Sequence, residues 1–131
     1  MIRPRVFLAD DHDDFLKLEI ALLQPHFDVV GTAADGAKLV SEVRRLNPDV
    51  VVADITMPIM TGIDAVHELV ESGSKAIFIF LTVNSTDEHI KACRQEGALG
   101  FVTKSRMKAH LIRAIYAALD GLPYIASAAS P

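Results

Sequence analysis

At 131 residues the chain has room for one domain around one core, and with half of its residues hydrophobic but only 6% aromatic that core must be aliphatic. A net charge of −4, with the 13 Lys and Arg scattered through the helical segments, argues against direct nucleic-acid binding by this segment. The longest apolar run, residues 76–81, is too short to cross a bilayer and no secretory leader pattern opens the chain, so no membrane association and a cytoplasmic setting are expected.

Short β-rich runs alternate with longer segments whose apolar residues recur every three or four positions, which reads as five βα units around a parallel sheet. The first strand spans 5–9 and ends at the acidic run 10–14. The helix behind it carries Phe15, Leu18 and Leu22 on one stripe until Pro25. The second strand is 28–33, followed by a helix that opens near Asp35 and stops at Asn47-Pro48, where proline forbids continuation. The third strand, 49–53, is apolar without alternation, as suits a central strand covered on both faces. It runs into Asp54, then a loop, then a helix reaching Ser72-Gly73.

The fourth and fifth strands are 76–81 and 99–103. Between them, 87–96 is the weakest amphipathic stretch, with Ile90 and Ala92 as almost its only apolar anchors. Cys93 can form no internal disulfide and reads as a small apolar residue. The last helix, 107–119, presents Leu111, Ile112, Ile115 and Leu119 and ends at Asp120-Gly121. The chain therefore divides into a domain over 1–121 and a tail, 122–131, that reads as a linker or a cut end.

Asp10-Asp11, Asp54, Thr82 and Lys104 all fall at the carboxyl ends of predicted strands, which in a parallel sheet open on one edge. Carboxylates crowded there repel by about 4 kcal/mol per pair at an effective dielectric near 20, so the cluster calls for a cation. Three carboxylates read as having no His or Cys beside them are hard oxygen donors that suit Mg²⁺, with Mn²⁺ as the alternative, and a magnesium ion so held keeps positions for phosphate oxygens. Asp54, alone on its strand end, is the candidate nucleophile toward phosphorus. Asp10 and Asp11 are better placed to grip metal, while Lys104 and Thr82 can meet phosphoryl oxygens. Taken singly, the acidic run is equally well a helix cap, and Thr82 and Lys104 are ordinary strand-end residues; their co-occurrence carries the reading. His12 adjoins the acids, but the remaining histidines fall in separate helices or at their edges, so imidazole is not expected as a metal ligand.

Asp10-Asp11, the loop Asp54-Ile-Thr-Met-Pro-Ile-Met-Thr-Gly62, Leu81-Thr82 and Gly100-Phe-Val-Thr-Lys104, in this order over residues 5 to about 120, resemble the receiver domain of bacterial two-component response regulators. The resemblance implies a flavodoxin-like (βα)5 three-layer sandwich with a parallel five-stranded sheet of order 2-1-3-4-5. It implies that a sensor histidine kinase or phosphotransfer protein donates a phosphoryl group to Asp54. It further implies that Asp11, Asp54 and the Thr56 backbone carbonyl ligate Mg²⁺, with Asp10 acting largely through water, and that Phe101 is a switch aromatic packing inward when Thr82 engages the phosphoryl group.

The endings Gly97-Ala-Leu-Gly-Phe-Val-Thr-Lys104-Ser105 and Gly121-Leu-Pro-Tyr-Ile are similar to receivers that precede a four-helix helix-turn-helix DNA-binding domain. By that likeness the chain is a truncated piece or a stand-alone receiver. Its output would be transcriptional, through homodimerisation on phosphorylation and a DNA-binding domain outside these residues. The readout face would be formed by the fourth helix, fifth strand and fifth helix, and no turnover activity is implied. Departures from the family pattern are Val83 in place of a small residue, Thr61 in place of Asp or Asn, and Ser105 in place of proline; Thr56 and Asn84 hold the positions that set acyl-phosphate lifetime. A haloacid-dehalogenase-like phosphatase would carry Asp-x-Asp, but Thr56 stands two residues after Asp54. A flavodoxin-like electron carrier would have a Ser, Thr and Gly loop where the acids 10–14 repel phosphate.

Overall fold

The computed structural model describes residues 2–83 and 86–127; Asn84 lies outside them. In chain order the elements are β1 (Arg5–Ala9), α1 (Asp13–Leu23), β2 (Asp28–Ala33), α2 (Gly36–Leu46), β3 (Val50–Ala53), α3 (Gly62–Glu71), β4 (Ile77–Thr82), α4 (Asp87–Gln95), β5 (Gly100–Thr103), a 3₁₀ turn (Lys104–Arg106), α5 (Met107–Leu119) and β6 (Tyr124–Ala126). The sheet is parallel throughout, in the order β2-β1-β3-β4-β5-β6. This is the flavodoxin-like α/β arrangement, with the five expected strands in the expected order and one more added.

Strand side chains alternate between two cores. Phe7, Ala9, Val51, Ala53, Phe78, Phe80 and Phe101 pack under α2, α3 and α4. Val6, Leu8, Val50, Val52, Ile79, Leu81 and Val102 pack under α1 and α5. Because both faces are covered, β3 is apolar at every position and its neighbours β1 and β4 are apolar except at Arg5 and Thr82. Local chemistry ends the helices where the sequence placed its signals. Asp35 caps α2 by accepting from Lys38 N at 2.7 Å, Thr61 caps α3 by accepting from Asp64 N at 3.1 Å, and Asn47 stops α2 in the left-handed region at φ 48°.

Three expectations need correction. The fully buried residues of α1 are Leu16, Glu19 and Leu23; of the expected Phe15, Leu18 and Leu22, the first and last pack partly buried against the same core and Leu18 is 54% exposed. A carboxylate on the buried face made the neighbouring Leu18 look like the core residue. In α4 the buried anchor is Cys93, with Ile90 only partly buried. The tail is not simply a linker, because Tyr124–Ala126 pairs in parallel with β5 from Gly100 to Val102. Its order comes from the free edge of β5, which three residues of tail can satisfy without a periodic pattern of their own.

Gly62 holds the β3–α3 loop against the acid that follows β3. A Cβ at position 62 would lie 1.8 Å from the Asp54 carbonyl oxygen, and Gly62 N donates to Ile55 O at 2.7 Å. Within the same loop Ile59 sits at φ 71°, an outlier for a β-branched residue that the pinned loop imposes. Gly62→Ala is therefore expected to lower unfolding stability by about 2–4 kcal/mol in urea titration; an unchanged midpoint would show that the loop gives way without strain.

Candidate functional site

Asp10 and Asp54 are brought together by strand register. Ala9 and Ala53 are paired across β1 and β3, and the next residue of each strand turns out of the sheet. Backbone bonds fix both exits, since Asp54 N donates to Ala9 O at 2.9 Å and Asp10 N to Ala33 O at 3.0 Å. The two carboxylates are 1% and 3% exposed.

Lys104 leaves β5 into the 3₁₀ turn and reaches back across the sheet edge. Its Nζ lies 2.6 Å from Asp10 Oδ2 and 2.9 Å from Asp54 Oδ2, and 4.4 Å above the centre of the Phe15 ring. Burial alone would lower the lysine pKa, but the hydrogen bonds to Asp10 and Asp54 overcome it and hold the ammonium above its ordinary value. The cation is thus fixed in its charged form between the two acids.

On the outer side, His12 N donates to Asp10 Oδ1 at 2.9 Å, and the His12 ring Nδ1 is 3.2 Å from Asp10 Oδ1 and 3.2 Å from Asp11 Oδ1. Ligand atoms of Asp10, Asp11, His12 and Asp54 all lie within 4.8 Å of one another. Three carboxylates and one ammonium leave two negative charges when the imidazole is neutral, a balance that a divalent cation would cancel. The donor set fits a hard cation, and this cluster could hold a metal ion. His12, set aside by sequence reasoning, stands inside the cluster because it directly follows the acid pair.

The other expected site residues take varied places. Thr82 is the last residue of β4, fully buried, and pairs in register with Thr103. Thr56 is exposed in the loop, where its N–H donates to Asp54 Oδ1 at 3.4 Å. Phe101 is 1% exposed, pairs with Phe80, and packs in the core shared with α2, α3 and α4. Val83, the departure from a small residue beside Thr82, is 72% exposed.

Sequence reasoning missed Glu19. It is 1% exposed on α1, its Oε2 has no hydrogen-bond partner among the described residues, and its pKa is raised well above the ordinary value. Burial is the main cause and the negative charge of Asp10 adds to it, against a smaller opposing pull from Lys104. The available signal was a carboxylate three residues after Leu16 and four before Leu23, on the true apolar stripe.

The response regulator receiver domain family matches residues 6–116, and the chain belongs to that family. It is 33% identical over 126 residues to the transcriptional regulatory protein LiaR of Bacillus subtilis (strain 168), covering 94% of this chain and 59% of LiaR. A two-component response regulator of the LuxR family from Aurantimonas sp. SI85-9A1 superposes with a TM-score of 0.88 at 31% identity, over 93% of this chain and 89% of that one. A CheX-CheY-BeF3-Mg²⁺ complex from Borrelia burgdorferi contains a chain that matches with a TM-score of 0.85 at 27% identity, over 90% of each. The chain spans little more than half the length of the transcriptional regulators it matches. It is a signalling receiver domain related to those regulators, and among its described residues no helix is long and apolar enough to cross a membrane.

A carboxyl whose pKa is higher folded than unfolded binds its proton more tightly in the native state, so its contribution to stability falls as pH rises above the ordinary carboxylate range. Glu19→Leu, which removes an unpartnered buried carboxyl, is therefore expected to raise unfolding stability by about 1–3 kcal/mol at neutral pH and by less near pH 4. Denaturant melts of both proteins at the two pH values check this. A loss of stability at neutral pH would mean that Glu19 is satisfied by contacts of its own.

Proposed function

We propose that this receiver is a phosphorylation-dependent switch in which Asp54 accepts a phosphoryl group from a histidine of a sensor kinase or phosphotransfer protein. The observation that carries the reading is the Lys104 ammonium shared by the buried carboxylates of Asp10 and Asp54. An Asp54 carboxylate oxygen attacks phosphorus and forms an acyl phosphate as the P–N bond of the donor breaks and the imidazole departs with a proton. Lys104 already lies against Asp54 and is placed to follow the phosphoryl oxygens, while Asp10 retains its own contact to the ammonium. Thr82, ending the neighbouring strand, donates its hydroxyl to an oxygen that exists only after modification, and that difference is what lets phosphate bias two conformations.

Mg²⁺ would be held by Asp10, Asp11, Asp54 and the Thr56 backbone carbonyl, with Mn²⁺ as a substitute. When bound it supplies the positive charge that lets an anionic donor approach an acidic site. The BeF3 and Mg²⁺ of the Borrelia complex support this choice of ion. Asp54 is consumed stoichiometrically, so the domain assists its own modification and hydrolysis without being a turnover enzyme. Phe101 is the switch aromatic that relays the Thr82 movement. The face carried by α4, β5 and α5 then changes partners, pairing with a second copy of the chain or serving a DNA-binding domain elsewhere in the protein, in the cytoplasm.

Asp54→Asn is expected to abolish incorporation of phosphate from acetyl phosphate, read by intact mass; retained labelling would place the nucleophile elsewhere. Lys104→Ala is expected to keep labelling while losing most of the phosphate-dependent amide shifts around Phe101 in NMR. A full set of those shifts in the variant would deny the ammonium its coupling role.

A further inference from the structure

Within the face assigned above to partner exchange, the β5 edge is occupied, because β6 lies along it. Gly100, Phe101 and Val102 pair with Tyr124, Ile125 and Ala126, and Tyr124 N donates to Leu99 O at 2.8 Å. The tail is anchored at both ends. The Tyr124 hydroxyl lies 2.7 Å from His110 Nδ1 on α5, and Ala126 and Ser127 are buried. On the other side Pro123 and Ile125 line a narrow gap together with Cys93, Arg94 and Ala98.

We propose that β6 is a detachable strap that occupies the β5 edge in this state and is released when Asp54 is phosphorylated. The inference rests on the phosphoacceptor reading. Three features make release cheap and coupled. The strand is three residues long, Ile125 at its centre is 40% exposed, and it is entered through Gly121 at φ 77° and Pro123, a short corner that can pivot. The residues that hold it are those the switch would move: Phe101 faces Ile125 across the register, and the Thr103 hydroxyl donates to Ala126 O at 3.5 Å. Thr103 in turn pairs with Thr82 and immediately precedes Lys104. Any pull of Thr82 and Lys104 toward a phosphoryl group is therefore transmitted to the strap through one residue of β5. By reciprocity, loosening the strap favours the phosphorylated arrangement.

The test uses the full chain with Mg²⁺ and acetyl phosphate, following labelling by intact mass and hydrogen exchange of the Tyr124 amide by NMR. Labelled protein is expected to exchange this amide at least about tenfold faster than unlabelled protein. Labelled protein with unchanged Tyr124 protection would overturn the strap and leave the phosphoacceptor reading standing, whereas absence of any labelled mass would overturn that reading and the coupling with it. Two variants test the reverse direction. Ala126→Asp puts a charge at a buried strap position, and the milder Tyr124→Phe removes the His110 contact; each is expected to speed both Tyr124 exchange and the rate of labelling several-fold. Faster exchange without faster labelling would show that the strap is not coupled to Asp54.

Discussion

A buried ammonium between two buried carboxylates sits close to energetic balance, and the rest of the site is organised by that balance. At an effective dielectric near 20 each Lys104 contact is worth about 6 kcal/mol in gross attraction, while taking each ion out of water costs several kcal/mol. The triad therefore adds little net stability, yet no member can be withdrawn alone without leaving a charge stranded. A partner of matching charge can replace one contact at small cost. That is the property a site needs if it is to admit a divalent cation on one side and a phosphoryl group on the other, and then return.

Holding such a triad demands a frame that does not relax, and the frame here is mostly backbone. Pairing of Ala9 with Ala53 sets the two acids side by side, and both exits are bonded to neighbouring strands. Gly62 lets the following loop close against Asp54, and the strained Ile59 follows from that closure. The opposite end of the sheet is built differently. There α4 buries only Cys93, and β6 adds three residues to the edge. A stiff acid pocket is thus joined through β4 and β5 to a loosely held edge, with Phe101 buried between them.

Most of this was legible in the amino-acid sequence because it depends on strand ends. The limits of β1, β2 and α5 agree with the expected ones, since acids, turn residues and glycine mark them, and the convergence of Asp10, Asp54 and Lys104 follows from parallel topology alone. What escaped were features set by tertiary context. Glu19 lies on the core face of α1, where a carboxylate is read as a surface residue, and so Leu18 was read as core in its place. His12 joins the acids by chain adjacency, which an argument from histidine spacing overlooks. For β6 the cause is the unsatisfied edge of another strand, a property that no window of tail residues contains.

The acids of β1 and β3 and the amine following β5 form one cluster that could hold a metal ion, and the proposed switch requires that ion to be Mg²⁺. A titration of the ¹⁵N-labelled chain with Mg²⁺, followed through backbone amide shifts, tests it most directly. Saturable changes are expected, concentrated at residues 10–12 and 54–56 and at Lys104, and lost when Asp11 is replaced by Asn. Weak, unsaturable changes spread over the exposed acids of α1, α3 and α4 would contradict it.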